Sequence, residues 1–197
     1  MLNELNRRHF LFGAAATAFA GPALALTEAQ ARGMVDTLVA DINKVIASGK
    51  SEQAIIRDFE RIFGRYADVP TMARYTLGAD ARRVSRSELR AFTDAFAGYI
   101  ARKYGKRFRE FIGGKIEVNT ARAIRSGYEI RTTAFLRGEA PFEVIFLVSD
   151  RSGRNLFFNM FIEGVNLLLT ERSEIGAMLD RSGGDINALI STVSRSG

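Results

Sequence analysis

The chain has 197 residues, 47% of them hydrophobic and 25% charged, with only three prolines, the make-up of a folded domain rather than a disordered or collagen-like chain. Lys and Arg number 28 against 22 Asp and Glu, a net charge of +6. Cysteine and tryptophan are absent and the sole histidine is His9, which removes disulfides, cysteine nucleophiles, Ser-His-Asp triads and His- or Cys-based zinc and haem sites from the body of the chain.

Residues 1–25 read as a cleaved signal peptide. Arg7-Arg8 supplies a basic start, Phe10 to Ala20 an apolar run, Pro22 a break and Ala23-Leu24-Ala25 a small-x-small cleavage site. The stretch Asn6-Arg7-Arg8-His9-Phe10-Leu11 also resembles a twin-arginine export motif, with an ordinary secretory signal as the alternative. Cleavage after Ala25 leaves residues 26–197, expected to form one domain in an extracytoplasmic, periplasmic location.

Thr27 to Ser48 repeats apolar residues with helical period, from Ala31 through Leu38 and Ile42 to Ile46, between a Thr27 cap and Gly49. Ser51 opens a second helix with Ile55, Phe59, Ile62 and Phe63 on one face. Asp68-Val69-Pro70-Thr71 breaks it, and Thr71 is expected to cap a short third helix ending near Gly78. Ser85-Arg86-Ser87-Glu88 is a capping box. The long helix behind it carries Leu89, Phe92, Phe96, Tyr99, Ile100, Tyr104, Phe108 and Phe111 before Gly113-Gly114.

Beyond that pair the period changes to two. Segments near 115–119, 129–137, 142–149 and 155–165, with turns at 137–139 and 150–153, predict a four-stranded antiparallel meander. The chain then returns to helix, with Ile175, Met178 and Leu179 before Gly183-Gly184 and a last helix capped by Asp185. Helices, then sheet, then helices make the class α+β.

The last two strands have apolar residues on both faces. Phe142, Val144, Phe146, Val148, Leu156, Phe158, Met160 and Ile162 alternate on one, and the other adds Ile145, Leu147, Phe157 and Phe161. A sheet with one wet face alternates more cleanly, so either helices cover both faces or one face borders something apolar that is not protein. The aromatic stripe Phe92, Phe96, Tyr99, Phe108 and Phe111 likewise reads as packed core or as the wall of an apolar cavity, and periodicity does not separate the two. A basic cluster at Arg102, Lys103, Lys106, Arg107 and Arg109, with Arg82, Arg83, Arg86 and Arg90 upstream, reads as a solvated helix face or as a docking surface for acidic headgroups or an acidic partner; no groove-reading motif accompanies it. Glu110, Glu117, Glu143 and Glu163 show no spacing that singles out a catalytic pair, and no glycine pattern forms a phosphate loop.

Several stretches resemble the MlaC family of periplasmic phospholipid-binding proteins. Tyr75-Thr76-Leu77-Gly78 with Phe92-Thr93-Asp94-Ala95-Phe96, then Tyr99-Ile100-Ala101-Arg102-Lys103-Tyr104, are similar to its "LG…F…F" and aromatic helix segments. Phe161-Ile162-Glu163-Gly164-Val165-Asn166-Leu167 with Thr170 to Ile175 is similar to its "EGVSL…YRSxF" signature, and Gly183 to Ile190 to its closing helix. The resemblance implies a non-enzymatic carrier that takes no cofactor and holds phospholipid as cargo. Its partners would be an inner-membrane ABC lipid transporter complex and an outer-membrane lipoprotein complex; paralogues tied to hopanoids are similar. On this reading an apolar cavity lies between Phe92, Phe96, Tyr99 and Ile100 of the long helix and Val144, Phe146, Val148, Phe158, Met160 and Ile162 of the sheet, with the headgroup near solvent and helped by general positive charge. The rival expectations are a packed protein-interaction adaptor and a small enzyme working through Glu or Tyr.

Overall fold

The computed structural model describes residues 26–106 and 113–197. The signal-peptide reading, His9, and Arg107, Phe108, Arg109, Glu110 and Phe111 lie outside the described residues.

Each helix begins where a side chain takes up its free N–H groups. For α1 (Glu28–Ile46) and α4 (Arg86–Gly105) these are reciprocal capping boxes, Thr27 with Gln30 and Ser85 with Glu88. Between them lie α2 (Glu52–Tyr66) and α3 (Val69–Leu77). The third helix starts before Thr71, because the Asp68 carboxylate rather than the Thr71 hydroxyl is the cap: it accepts from the Thr71 N–H at 3.2 Å, and Pro70 sits in the first turn, where its missing N–H costs nothing. A 3-10 turn at Gly78–Arg82 leads on to α4. After the sheet, α5 (Leu167–Arg181) is capped by Asn166 and α6 (Ile186–Arg195) by Asp185.

The sheet has five strands, not four: β1 (Lys115–Ile124), β2 (Gly127–Phe135), β3 (Phe142–Ser149), β4 (Leu156–Ile162) and β5 (Val165–Asn166), antiparallel and in sequence order. The segment read as one strand to residue 165 ends at Ile162. Glu163 and Gly164 both take positive φ (50° and 79°) and fold it back so that Ile162 pairs with Val165, the two-residue turn that suits the twist of a hairpin. Gly127, at φ 141°, opens β2; a Cβ there would overlap the Val148 carbonyl oxygen of the neighbouring strand.

In β4 the alternation fails. Leu147 pairs with Asn159 but Val148 pairs with Phe157, leaving Phe158 as the extra residue of a β-bulge. The parity of the strand shifts there, so Phe157, buried at 4% exposure, takes the inward place, and Phe158 is half-buried.

One face of the sheet carries Ile116, Ile130, Thr132, Ala134, Val144, Phe146 and Val148, all buried, and α1 lies across β1, β2 and β3 there. The opposite face holds a ladder of charges in which Glu129 pairs with Arg122 and Arg131, each at 2.9 Å, and Arg131 reaches Glu143 at 2.9 Å. The sheet margins are tied down. At β1, the Asn43 side chain donates to the Ile116 carbonyl (3.2 Å) and accepts from the Ile116 N–H (3.1 Å). At β4, the Asp68 N–H in the α2–α3 joint donates to the Phe157 carbonyl at 2.8 Å.

Candidate functional site

Between the helices and the inward face of the sheet lies a pocket of about 320 Å³, near the lower end of ligand-site volumes, which run from about 300 to 1,000 Å³. Its sheet side is Ile116, Leu136, Phe142, Val144, Phe146, Phe157, Met160 and Ile162. Leu38 and Ile42 of α1, Phe59, Ile62 and Phe63 of α2, Met72 of α3, Ile100 and Tyr104 of α4, and Leu167, Leu168 and Glu171 of α5 form the helical side. Ring contacts brace the wall at the bulge: Phe157 meets Phe146 edge-on at 5.5 Å and Phe63 at 6.1 Å. Glu139, Ala140 and Glu163, all exposed, stand at the rim. The pocket is thus a recess with an open mouth, not a sealed cavity.

The residues expected at an apolar site divide. Ile100, Val144, Phe146, Met160 and Ile162 are in the pocket wall. Phe92 and Phe96 are fully buried and stacked on each other at 6.1 Å, with Tyr99 next at 6.4 Å, and Val148 is fully buried; these lie in the packed core and not in the wall. The reason is topological: α4 packs chiefly on α2, α6 and α3, and α1 is the helix that lies on the sheet. Phe158 is displaced from the wall by the bulge, and Phe157 takes its place. Sequence reasoning missed the contributions of α1, α2 and α5. The helical periodicity marked Leu38, Ile42, Phe59, Ile62 and Phe63 as core-facing, but no local signal tells that their neighbour is a recess.

Tyr99 belongs to a polar cluster at one side of the pocket. Its hydroxyl donates to Glu174 at 2.7 Å, and the Lys103 ammonium donates to Glu174 (2.7 Å), Glu171 (2.8 Å) and Tyr99 (3.1 Å). Tyr104 donates to the same Glu171 Oε1 at 2.5 Å. Burial, followed by the hydrogen bond to Glu174, pushes the Tyr99 phenol far up, so it stays a donor at any physiological pH. Burial acts to raise the Glu174 carboxyl, but the hydrogen bonds from Lys103 and Tyr99 outweigh it and hold the carboxyl below the usual glutamate range.

The basic cluster of α4 is largely committed to the chain itself. Arg102 donates to the Ser196 and Val193 carbonyls at 2.9 and 3.0 Å, closing the C-terminus of α6, and Lys106 reaches the Gly197 carbonyl at 2.7 Å. Among the described residues, the charged side chains in the pocket wall, Glu139, Glu163 and Glu171, are acidic. Among the described residues, no group of three or more His, Cys, Asp or Glu could hold a metal ion, and no helix is long and apolar enough to cross a membrane.

Comparison with known proteins bears on the same architecture. The profile of the MlaC protein family matches residues 32–195. Among solved structures, the chain is similar to a phospholipid-binding protein from Ralstonia solanacearum in complex with a phospholipid. The TM-score is 0.71 at 18% identity, covering 83% of this chain and 94% of that one, and the likeness establishes a common fold. No curated protein matches the chain.

Proposed function

The chain belongs to the MlaC family, and from that premise we propose that it is a carrier that holds phospholipid acyl chains in the pocket between helices and sheet. The observation that carries the reading is the pocket itself: an apolar recess with an open mouth, walled by Phe and branched aliphatic side chains from both layers. Exposing hydrocarbon to water costs about 0.8 kcal/mol per CH₂, so two long tails with roughly thirty methylenes face an upper-bound cost on the order of 20 kcal/mol. A carrier has only to lower that cost; it needs no nucleophile and no metal. Ile100, Val144, Phe146, Met160 and Ile162, together with Phe157 from the bulge, are the residues proposed to touch the tails. Phe92, Phe96, Tyr99 and Val148 back that wall from the core.

The same reading extends to the cell. After removal of residues 1–25 the protein would work in the periplasm as one domain, passing lipid between an inner-membrane ABC transporter complex and an outer-membrane lipoprotein complex. The shared fold of a phospholipid-bound protein supports the cargo; the route and partners rest on family membership. Solvent extraction of the purified protein followed by mass spectrometry tests the cargo. Co-purified phospholipid, or uptake of it from vesicles by lipid-free protein, is the expected result. A hopanoid in its place would move the cargo to a sterol-like lipid, and protein that neither carries nor takes up lipid would reject the carrier.

A further inference from the structure

Glu171 stands apart from the rest of the pocket wall. It is 2% exposed, and its Oε1 is already engaged by Lys103 and Tyr104, whereas Oε2 is buried with no hydrogen-bond partner among the described residues. A carboxylate oxygen withdrawn from water without a donor is costly, and one in the wall of a ligand pocket is satisfied when the ligand brings the donor. The other charged wall residues among those described, Glu139 and Glu163, are also acidic, so the described wall offers acceptors rather than cations to a polar group, although the whole chain carries +6.

We infer that Glu171 Oε2 is the acceptor that reads the polar end of the cargo, and that the pocket selects amphiphiles presenting an N–H or O–H donor, a protonated amine above all. The inference rests on the carrier reading and adds a headgroup preference to it. Lys103 is integral to the device. Its bond to Glu171 Oε1, braced by its bond to Glu174, holds the carboxylate turned so that only one oxygen remains to be filled. A trimethylated ammonium carries the same charge as a primary one but has no N–H to donate.

The test uses lipid-free protein and vesicles offering phosphatidylethanolamine, its N-methyl and N,N-dimethyl forms, and phosphatidylcholine, all with identical tails, the bound lipid being counted by native mass spectrometry. Head bulk grows evenly along the series while the last donor is lost only at the final methyl. Uptake should therefore fall about tenfold or more at that step, the size of a hydrogen bond to a charged group. Phosphatidylglycerol separates the sources: uptake equal to the dimethyl lipid means a hydroxyl suffices, and uptake as poor as phosphatidylcholine means the ammonium is required. Glu171→Gln puts an amide N–H₂ where Oε2 stood and should flatten the series, whereas Glu174→Gln, outside the wall, should keep it. Should Glu171→Gln fail to fold, the wild-type series alone decides. Equal uptake of all these lipids, or a series unchanged in Glu171→Gln, overturns the headgroup inference and leaves the carrier standing; no uptake of any lipid overturns the carrier itself.

Discussion

Met160→Asp places a charge where hydrocarbon is proposed to lie. Met160 is half-buried in the pocket wall on β4, opposite Phe146. In the lipid-free protein its end is near enough to the open recess for a carboxylate to stay hydrated, so the fold should survive. A tail entering the pocket strips that water away, and the carboxyl must then either be buried charged or pick up a proton. Protonation sets the ceiling, because each pKa unit is worth 1.36 kcal/mol: from an ordinary Asp value near 3.9 to pH 7 the cost is about 4 kcal/mol, roughly a thousandfold in lipid affinity. At pH 5 the same reckoning leaves about 1.5 kcal/mol, or roughly tenfold. Equilibration against vesicles at the two pH values, scored by native mass spectrometry with Met160→Leu as the volume control, reads both numbers. A variant that binds lipid like Met160→Leu at pH 7, or that is equally crippled at both pH values with an unchanged melting temperature, refutes the placement of the tails.

Three further outcomes follow from the described geometry. Phe157→Ala should impair lipid uptake, whereas Phe158→Ala should leave it unchanged, since the bulge puts only the first ring in the wall; the reverse order would mean that β4 is unbulged in solution. Gly127→Ala should cost more than about 3 kcal/mol in urea unfolding, the scale of a core-disrupting change, because its Cβ meets the Val148 carbonyl; a midpoint near wild type contradicts the β2–β3 geometry. Acid stability follows from carboxyls held below their ordinary values, among them Asp58 by hydrogen bonds from Lys50 and Arg61, Asp41 by those from Tyr66 and Lys44, and Glu129 by those from Arg122 and Arg131. The unfolded chain takes up protons first as pH falls, so the stabilisation is full above the unfolded carboxylate range and is lost as pH drops through the folded values. Melting temperature should be level from about pH 7 to 5 and decline below about pH 4; a protein more stable at pH 3 than at pH 6 would contradict these pairings.

The order of elements was legible because capping and period are local. The Thr27 cap and the Ser85–Glu88 capping box announce their helices locally, and Gly113-Gly114 marks the change of period. The bulge was not, since Leu156, Phe157 and Phe158 are all apolar and a one-residue slip leaves no mark on such a run. The same holds for the aromatic stripe of α4: Phe96 in the core and Ile100 at the pocket wall share one helical face, and only the packing of distant segments tells them apart. Glu171 was missed for a related reason. A glutamate in a helix reads as a solvated surface residue, and the groups that bury it, Lys103 and Tyr104, come from α4, about seventy residues earlier in the chain, a separation at which sequence pattern is silent.

The ties at the two borders of the sheet bear on how this molecule would load. Asn43 fastens one border to the first helix and Asp68 fastens the other to the helical elbow, much as a membrane is stretched over a frame. Any guest thicker than the resting gap has to bow the middle while the frame stays put, so the elastic resistance of that span, rather than a hinged door, would decide how many hydrocarbon chains enter.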